Sequence, residues 1–184
     1  MSIKIVQKED KVLRQIAKEV HAKDFGTPKL KKVLSDMKKA LASQEDGVAI
    51  AAPQIGVPLR IFVVSGRVIA YTKGEDTTDQ SDALIRAKYP DMVFINPVIT
   101  KSSKEKKNME EGCLSIRYLY GKVKRSNKVS LSAFSENGEK ISRGASGLMA
   151  QIFQHETDHL DGILFTDKAT DVKDMPPEMI TKAK

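Results

Sequence analysis

Apolar positions along the chain follow two periods. Leu30, Val33, Leu34, Met37 and Leu41 share one face at helical spacing, with lysines on the other side. Thr27-Pro28 in front of them is an N-cap followed by proline at the first helical position, so the pattern predicts a helix to about Ser43. Upstream, Ile5, Val6, Val12, Leu13, Ile16, Ala17 and Val20 predict a short extended piece and a helical turn. Period two appears where Val129, Leu131 and Ala133 alternate with Ser130 and Ser132, the pattern of a half-buried antiparallel strand. Asn137-Gly138 is the hairpin turn behind it, and Glu139-Lys140-Ile141 the return. Arg60 to Val64 and Met92 to Ile95 predict further strands, with Asn96-Pro97 breaking the second before Val98-Ile99-Thr100. Between them, residues 66–90 are polar and irregular and predict an insertion loop. Gly47 to Gly56 is rich in small residues and predicts a loop where backbone approaches something closely. A lysine-rich turn precedes Glu110 to Ser115, and residues 170–184 form a polar tail in which Pro176-Pro177 stops any helix.

The last helix begins near Ser146 and carries chemistry. Leu148, Ile152, His155 and His159 follow i, i+4, i+7, i+11, so the histidines extend an apolar stripe and are expected to be buried; Gly162 ends the helix. His155-Glu156-Thr157-Asp158-His159 is a His-Glu-x-x-His motif, and on a helix its histidines lie one turn apart, placed to grip a single metal ion. Glu156 points away from them by about a quarter-turn, towards where water on such an ion would sit. The pentad also arises by chance in ordinary cores, so the rest of the chain must decide. A catalytic metal site needs about three protein ligands. Cys113, the only cysteine, follows Gly112, a residue that relaxes the backbone where a ligand is aimed. A lone cysteine is more commonly a small buried hydrophobe, and a nucleophile is a third reading.

Composition narrows the class. At 184 residues, 40% hydrophobic and 30% charged, residues 1–184 form one domain of an ordinary globular protein. No apolar run approaches the roughly 20 residues that cross a bilayer, and Met1 to Val6 holds no signal-peptide core. A cytoplasmic protein without a membrane partner is expected. The net charge of +7 gathers in patches at Lys101 to Lys107, Lys122 to Lys128 and Lys182 to Lys184. These are first of all a solvated surface; their functional reading is weak attraction to a polyanion such as ribosomal RNA. No aromatic-rich basic segment marks a nucleic-acid-reading surface, and no DNA partner is expected.

Three ordered stretches, Gly47 to Gln54, Glu111 to Ser115 and His155 to His159, together resemble the peptide deformylase family. Its pattern is Gly-x-Gly-x-Ala-Ala-x-Gln, then Glu-Gly-Cys-x-Ser, then His-Glu-x-x-His, and the likeness runs from Val12-Leu13-Arg14 to about Phe165. The resemblance implies an α+β fold, with mixed, mostly antiparallel β-sheets around a central metal-binding helix and an N-terminal amphipathic helix. It implies that Cys113, His155 and His159 bind one divalent metal ion, Fe(II) in the native enzymes, with Zn(II) or Ni(II) as substitutes. Glu156 would be the general base, and the Gln54 amide and Leu114 N–H the oxyanion donors. Gly47, Val48, Leu148 and Ile152 would contact the methionine of an N-formyl-methionyl nascent peptide, which loses its formyl group as formate. Glu111 is either a salt-bridge partner or a solvated carboxylate. Ala49 stands where the family has its second glycine, Ile50 where leucine is usual, and Arg117 where proline is common. Residues between Val64 and Met92 exceed the compact members' length. Three alternatives compete: a zinc peptidase, for which no third histidine follows the motif; a cysteine hydrolase, which leaves Glu156 unexplained; and a metal-binding homologue without turnover, suggested by Ala49 and Arg117.

Overall fold

Thr27 and Pro28 start the first helix by the chemistry of a helix end. The Thr27 hydroxyl accepts a hydrogen bond from the Leu30 N–H at 3.3 Å, and Pro28 sits where the helix has no use for an N–H. Helix α1, Pro28–Ala42, buries Leu30, Leu34, Met37, Ala40 and Leu41 and leaves Lys29, Lys31, Lys32 and Lys39 exposed. The computed structural model describes residues 3–77 and 80–176. After α1 come β1 (Ala49–Ala51), β2 (Ile61–Val64), α2 (Gly66–Thr72), α3 (Asp82–Lys88), β3 (Met92–Ser102), β4 (Lys106–Gly112) and β5 (Leu119–Ser126). They are followed by β6 (Lys128–Phe134), β7 (Lys140–Ser146), α4 (Gly147–Leu160) and β8 (Thr170–Asp174).

The strands pair antiparallel in two sheets, ordered β1-β2-β3-β6-β7 and β4-β5-β8. Both faces of the larger sheet are covered, which is why Ile61-Phe62-Val63-Val64 is apolar throughout rather than alternating. Ile61 and Val63 join the α1 side chains in one core, whereas Phe62 and Val64 join Ala150, Ile152 and Phe153 of α4 in another. Phe62, Phe94 and Phe153 pack ring to ring, with centroids 4.8 to 5.9 Å apart. A third, smaller core of Leu13, Ile116, Val123, Leu164 and Phe165 lies beside Cys113. Helix α4 is thus central, with the mixed α+β arrangement of mostly antiparallel sheets around it.

Several segments differ from the sequence reading, each for a local reason. Residues 66–90, expected to be irregular, hold two helices among their described residues, α2 and α3, capped by the Ser65 and Ser81 hydroxyls. Each helix has seven residues, too few to display helical periodicity. Val68 and Ile69 anchor α2 in the α4 core, and polar pairs add Arg67 to Asp82 at 2.7 Å between the helices and Arg86 to Asp91 beyond them. The small-residue segment contains a real strand, β1, which pairs Ala49 with Val64 and Ala51 with Phe62, before a 3₁₀ turn at Ala52–Ile55. Asn96-Pro97 does not end its strand but bulges it: the register shifts between Ile95 and Val98, and Asn96 takes φ 49°. The Asn96 amide group pays for that backbone by bonding both polar groups of Val20, at 2.8 and 2.9 Å. The lysine-rich turn opens into β4, hairpinned with β5, a strand the alternation conceals because Gly121 and Arg125 fill two of its buried positions. The polar tail begins with β8 on the edge of that sheet, while Pro177 and all later positions fall outside the described residues.

The α2 segment offers a packing test. A Cβ at Gly66 would collide with the Tyr89 carbonyl oxygen, whereas one at Gly144 on β7 would meet open space. Gly66→Ala is expected to lower the unfolding free energy by about 1–3 kcal/mol, the usual cost of overpacking. Gly144→Ala should stay within about 0.5 kcal/mol of wild type, as surface changes do. Both are read from urea midpoints, and equal midpoints would contradict the close approach of α2 to Tyr89.

Candidate metal centre

His155 and His159 sit one turn apart on α4, with ring centroids 4.9 Å apart. Cys113 comes from the other direction, immediately past the end of β4, and its Sγ lies 3.3 Å from His159 Nε2. One ligand atom from each of the three residues falls within 4.8 Å of the others. A thiolate with two imidazoles is a donor set that borderline divalent ions such as zinc and iron take. His159 is buried as expected, and His155 half-buried. Burial also holds the His159 imidazole well below its ordinary pKa, keeping it in the neutral form that ligates.

Gly112 earns its place in a different way from that expected. A Cβ there would lie 2.7 Å from the Tyr120 ring across the β4–β5 hairpin, so glycine allows the two strands to close beside Cys113.

The orientation of His155 comes from Glu111. Glu111 Oε2 lies 2.9 Å from His155 Nδ1, which leaves the other ring nitrogen free for an ion. The fork of Arg125 holds that carboxylate, Nε donating to Oε1 at 2.8 Å and Nη2 to Oε2 at 2.9 Å. Arg125 Nη1 also donates to Asp158 of α4 at 2.6 Å, and Lys168 donates to the same Asp158. Burial works to raise the Glu111 carboxyl, but hydrogen bonds from Arg125 and His155 outweigh it and lower the pKa to about 2. Glu111 is therefore a buried ion-pair partner and not a solvated carboxylate. In sequence Arg125 looks like its lysine neighbours, and only the pairing of β5 shows that it points inward with Val123 while Lys122 and Lys124 face out.

Glu156 points elsewhere. It is 4% exposed, and burial raises its pKa to about 7 against the pull of His155. Among the described residues, the buried side-chain polar atoms without a hydrogen-bond partner are Glu156 Oε2 and His159 Nδ1. Gln54, also buried, has its amide fixed at both ends. Its Oε1 accepts from the Ala51 N–H at 2.8 Å, and its Nε2 donates to Ser115 Oγ at 3.2 Å and to Cys113 Sγ at 3.5 Å.

These groups line one cleft of about 300 Å³, with Gln54, Cys113, Leu114, His155 and Glu156 at its polar end. Val48, Leu148 and Ile152 line the same space, Ile152 deep in the wall and Val48 and Leu148 at its partly exposed rim. Gly47 lies outside the lining, and a Cβ on it would meet Leu41 Cδ1 at 2.9 Å, so its size is set by packing on α1. Ala49 lines the cleft from β1 with ordinary backbone, since the described non-glycine residues at positive φ are Asn96 and Asp171. Arg117, Tyr118 and Tyr120 also reach the cleft, and hydrophobic periodicity gives no sign of them.

Comparison with known proteins agrees with this geometry. The family model described as polypeptide deformylase matches residues 2–175. Peptide deformylase 2 of Clostridium acetobutylicum is 40% identical over 163 residues, covering 89% of this chain and 92% of its own. The peptide deformylase of Fusobacterium nucleatum is 36% identical over 182 residues, 99% of this chain and 90% of its own. Among solved structures, the actinonin-bound class I type b peptide deformylase from Acinetobacter baumannii superimposes with a TM-score of 0.76 at 29% identity, covering 92% of this chain and 99% of that one. A match of that extent, over a fold that brings one thiol and two imidazoles together beside a buried carboxylate, places the chain in the peptide deformylase family.

Proposed function

We propose that Cys113, His155 and His159 hold one divalent metal ion, and that Glu156, Gln54 and the Leu114 N–H act on the substrate beside it. The reaction is the family's, hydrolytic removal of the N-formyl group from the initiator methionine of nascent polypeptides, with release of formate. The observation that carries the residue assignment is the buried Glu156 carboxylate, its Oε2 unpartnered, lining one cleft with Cys113 and His155. A bound ion supplies Lewis acidity, polarising the formyl carbonyl and making water nucleophilic near neutral pH. Glu156, with its pKa lifted to about 7, suits a base that takes a proton from the attacking water and later hands it to the departing amine nitrogen. Gln54 Nε2 and the Leu114 N–H donate to the carbonyl oxygen as it gains charge. Val48, Leu148 and Ile152 provide an apolar wall for the methionine side chain. A zinc peptidase or a cysteine hydrolase accounts for less, since each leaves part of this set idle.

Iron as Fe(II) is the ion we propose for the cell, with zinc or nickel as substitutes, because a Cys-His-His set accepts all three. Residues 1–184 act as one catalytic domain in this reading. Among the described residues no helix is long and apolar enough to cross a membrane. The proposed place of work is the cytoplasm, with the exposed lysines of residues 101–107 and 122–128 giving weak attraction to ribosomal RNA.

Anaerobic purification with metal analysis and a formate-release assay on formyl-Met peptides tests the assignment. One ion per chain is expected; a chelator should abolish turnover, and Cys113→Ala should lose both metal and activity. Full metal content in Cys113→Ala would refute the ligand set. Glu156→Ala is expected to keep its metal and lose about 10²–10⁴ in kcat, the worth of a positioned proton carrier. If metal leaves with the activity, Glu156 is a ligand or a support instead.

The two cleft residues from the small-residue segment should separate sharply. Gln54→Ala removes an oxyanion donor and is expected to cost about 10²–10³ in kcat. Ala49→Gly only removes a methyl from ordinary backbone, so kcat/KM should move by less than about tenfold. Both are measured with the same metal loaded. A nearly inactive wild type rescued by Ala49→Gly would instead favour the homologue without turnover.

Glu111→Gln keeps the shape of the group that orients His155 but removes its charge. Metal affinity is expected to fall about 10–100-fold, measured by competition with a chelator. Unchanged affinity would mean that α4 alone aims the imidazole.

A further inference from the structure

The walls of the cleft are tied together at two levels. At the buried end Gln54 bonds across to Ser115 and Cys113. At the mouth the tie is Arg117, four residues past Cys113 on the turn that also carries Leu114. Its Nη1 donates to Asp46 Oδ2 at 2.5 Å, and its Nη2 donates to Asp46 Oδ1 at 3.2 Å and to Gln44 Oε1 at 2.7 Å. Arg117 and Asp46 both line the cleft that holds the metal-centre residues.

Each end of this tie has a firm base. Gln44 and Asp46 lie in the turn from α1 to β1, where the Gln44 N–H donates to the Leu41 carbonyl and the Gly47 N–H to the Gln44 carbonyl, both at 3.1 Å. Gly47 lets that turn settle on Leu41, since any Cβ would meet the leucine. On the other side the Ile116 N–H donates to the Cys113 carbonyl at 3.0 Å and the Leu119 N–H to the Ile116 carbonyl at 3.1 Å, which holds the turn that carries Arg117. The tie itself is softer. Arg117 and Asp46 side chains are 27% and 56% exposed, which leaves their attraction weak and open to screening by salt. The planar fork still fixes a direction, because two nitrogens meet two carboxylate oxygens.

We propose that Arg117 is a positioning residue: its fork on Asp46 and Gln44 is a latch that sets the width of the cleft mouth and so holds the peptide against the metal centre. The proposal deepens the deformylase reading and rests on it. Neither latch residue is placed to touch the formyl group, so losing the latch weakens peptide binding and leaves the chemical step alone. High salt imitates its removal by screening the Arg117–Asp46 pair.

The test uses an uncharged substrate, N-formyl-Met-Ala amide, so that salt acts on the enzyme alone. Arg117→Met and Asp46→Asn are each expected to raise KM about three- to tenfold, with kcat and metal content within about twofold of wild type. The double variant should be no worse than either single, and exchanging the charges, Asp46→Arg with Arg117→Asp, should recover much of the loss. Wild-type KM should climb between roughly 0.05 and 1 M salt while that of Arg117→Met stays level. Titration with the unformylated Met-Ala amide should show the same order of affinities without any turnover. An unchanged KM in both single variants would overturn the latch, as would additive effects in the double variant or an equal fall of kcat and kcat/KM. A metal-loaded wild type that releases no formate would strike at the deformylase reading itself, leaving the peptide titration to judge the latch.

Discussion

One buried carboxylate, Glu111, connects the parts of the molecule that must agree for a metal centre to exist. It sits on β4, is held on one side by the Arg125 fork of β5, and on the other side meets His155 of α4. Arg125 extends the connection to Asp158, so the helix is gripped between its histidines as well as at one of them. Buried ion pairs of this kind add little net stability, because the desolvation of both charges offsets much of their attraction. Removing one partner is another matter and costs about 3–5 kcal/mol, since a charge is left buried and unanswered. What Glu111 secures is a single relative placement of hairpin and helix, and with it the direction of an imidazole.

Helix α4 can serve two masters because its sides face different neighbours. Ala150, Phe153 and Leu160 belong to the core shared with the large sheet, where Phe153 packs edge-on against Phe94, itself stacked on Phe62. Its histidines and Glu156 look towards the small sheet and the cleft. The apolar side supplies the driving force for docking, roughly 25 cal/mol per Å² of apolar surface removed from water. The polar side could not be buried on its own, and it survives burial because each charged group has a named partner or a chemical task.

The cleft depends on close approach. Gly112 admits the Tyr120 ring, Gly47 admits Leu41, and the 3₁₀ turn at Ala52–Ile55 swings Gln54 under the thiol. A methyl at Ala49 fits within this scheme since β1 is extended there and needs no left-handed residue. Of the departures from the family pattern, Ala49 and Arg117 line the cleft, while Ile50 is buried in the core shared with α1.

Local chemistry was enough to read a good part of this from residues alone. The Thr27-Pro28 cap and the Leu30–Leu41 stripe define α1, the Val129–Ala133 alternation defines β6, and His-Glu-x-x-His sets two imidazoles on one helical face. These features are local, within a few turns of chain, where spacing translates directly into geometry. The sequence did not reveal α2 and α3, β4 and β5, or the strand inside the small-residue segment. Helices of seven residues are too short to show an apolar period, and β5 spends inward positions on Gly121 and Arg125, residues that period-two reading counts as outward. Tertiary structure alone decided that Glu111 is buried, that Arg125 supports it, and that Arg117 reaches Asp46 across 71 residues of chain. Such contacts join side chains distant in sequence, and their partners are chosen by how the sheets and α4 pack rather than by any neighbour along the chain.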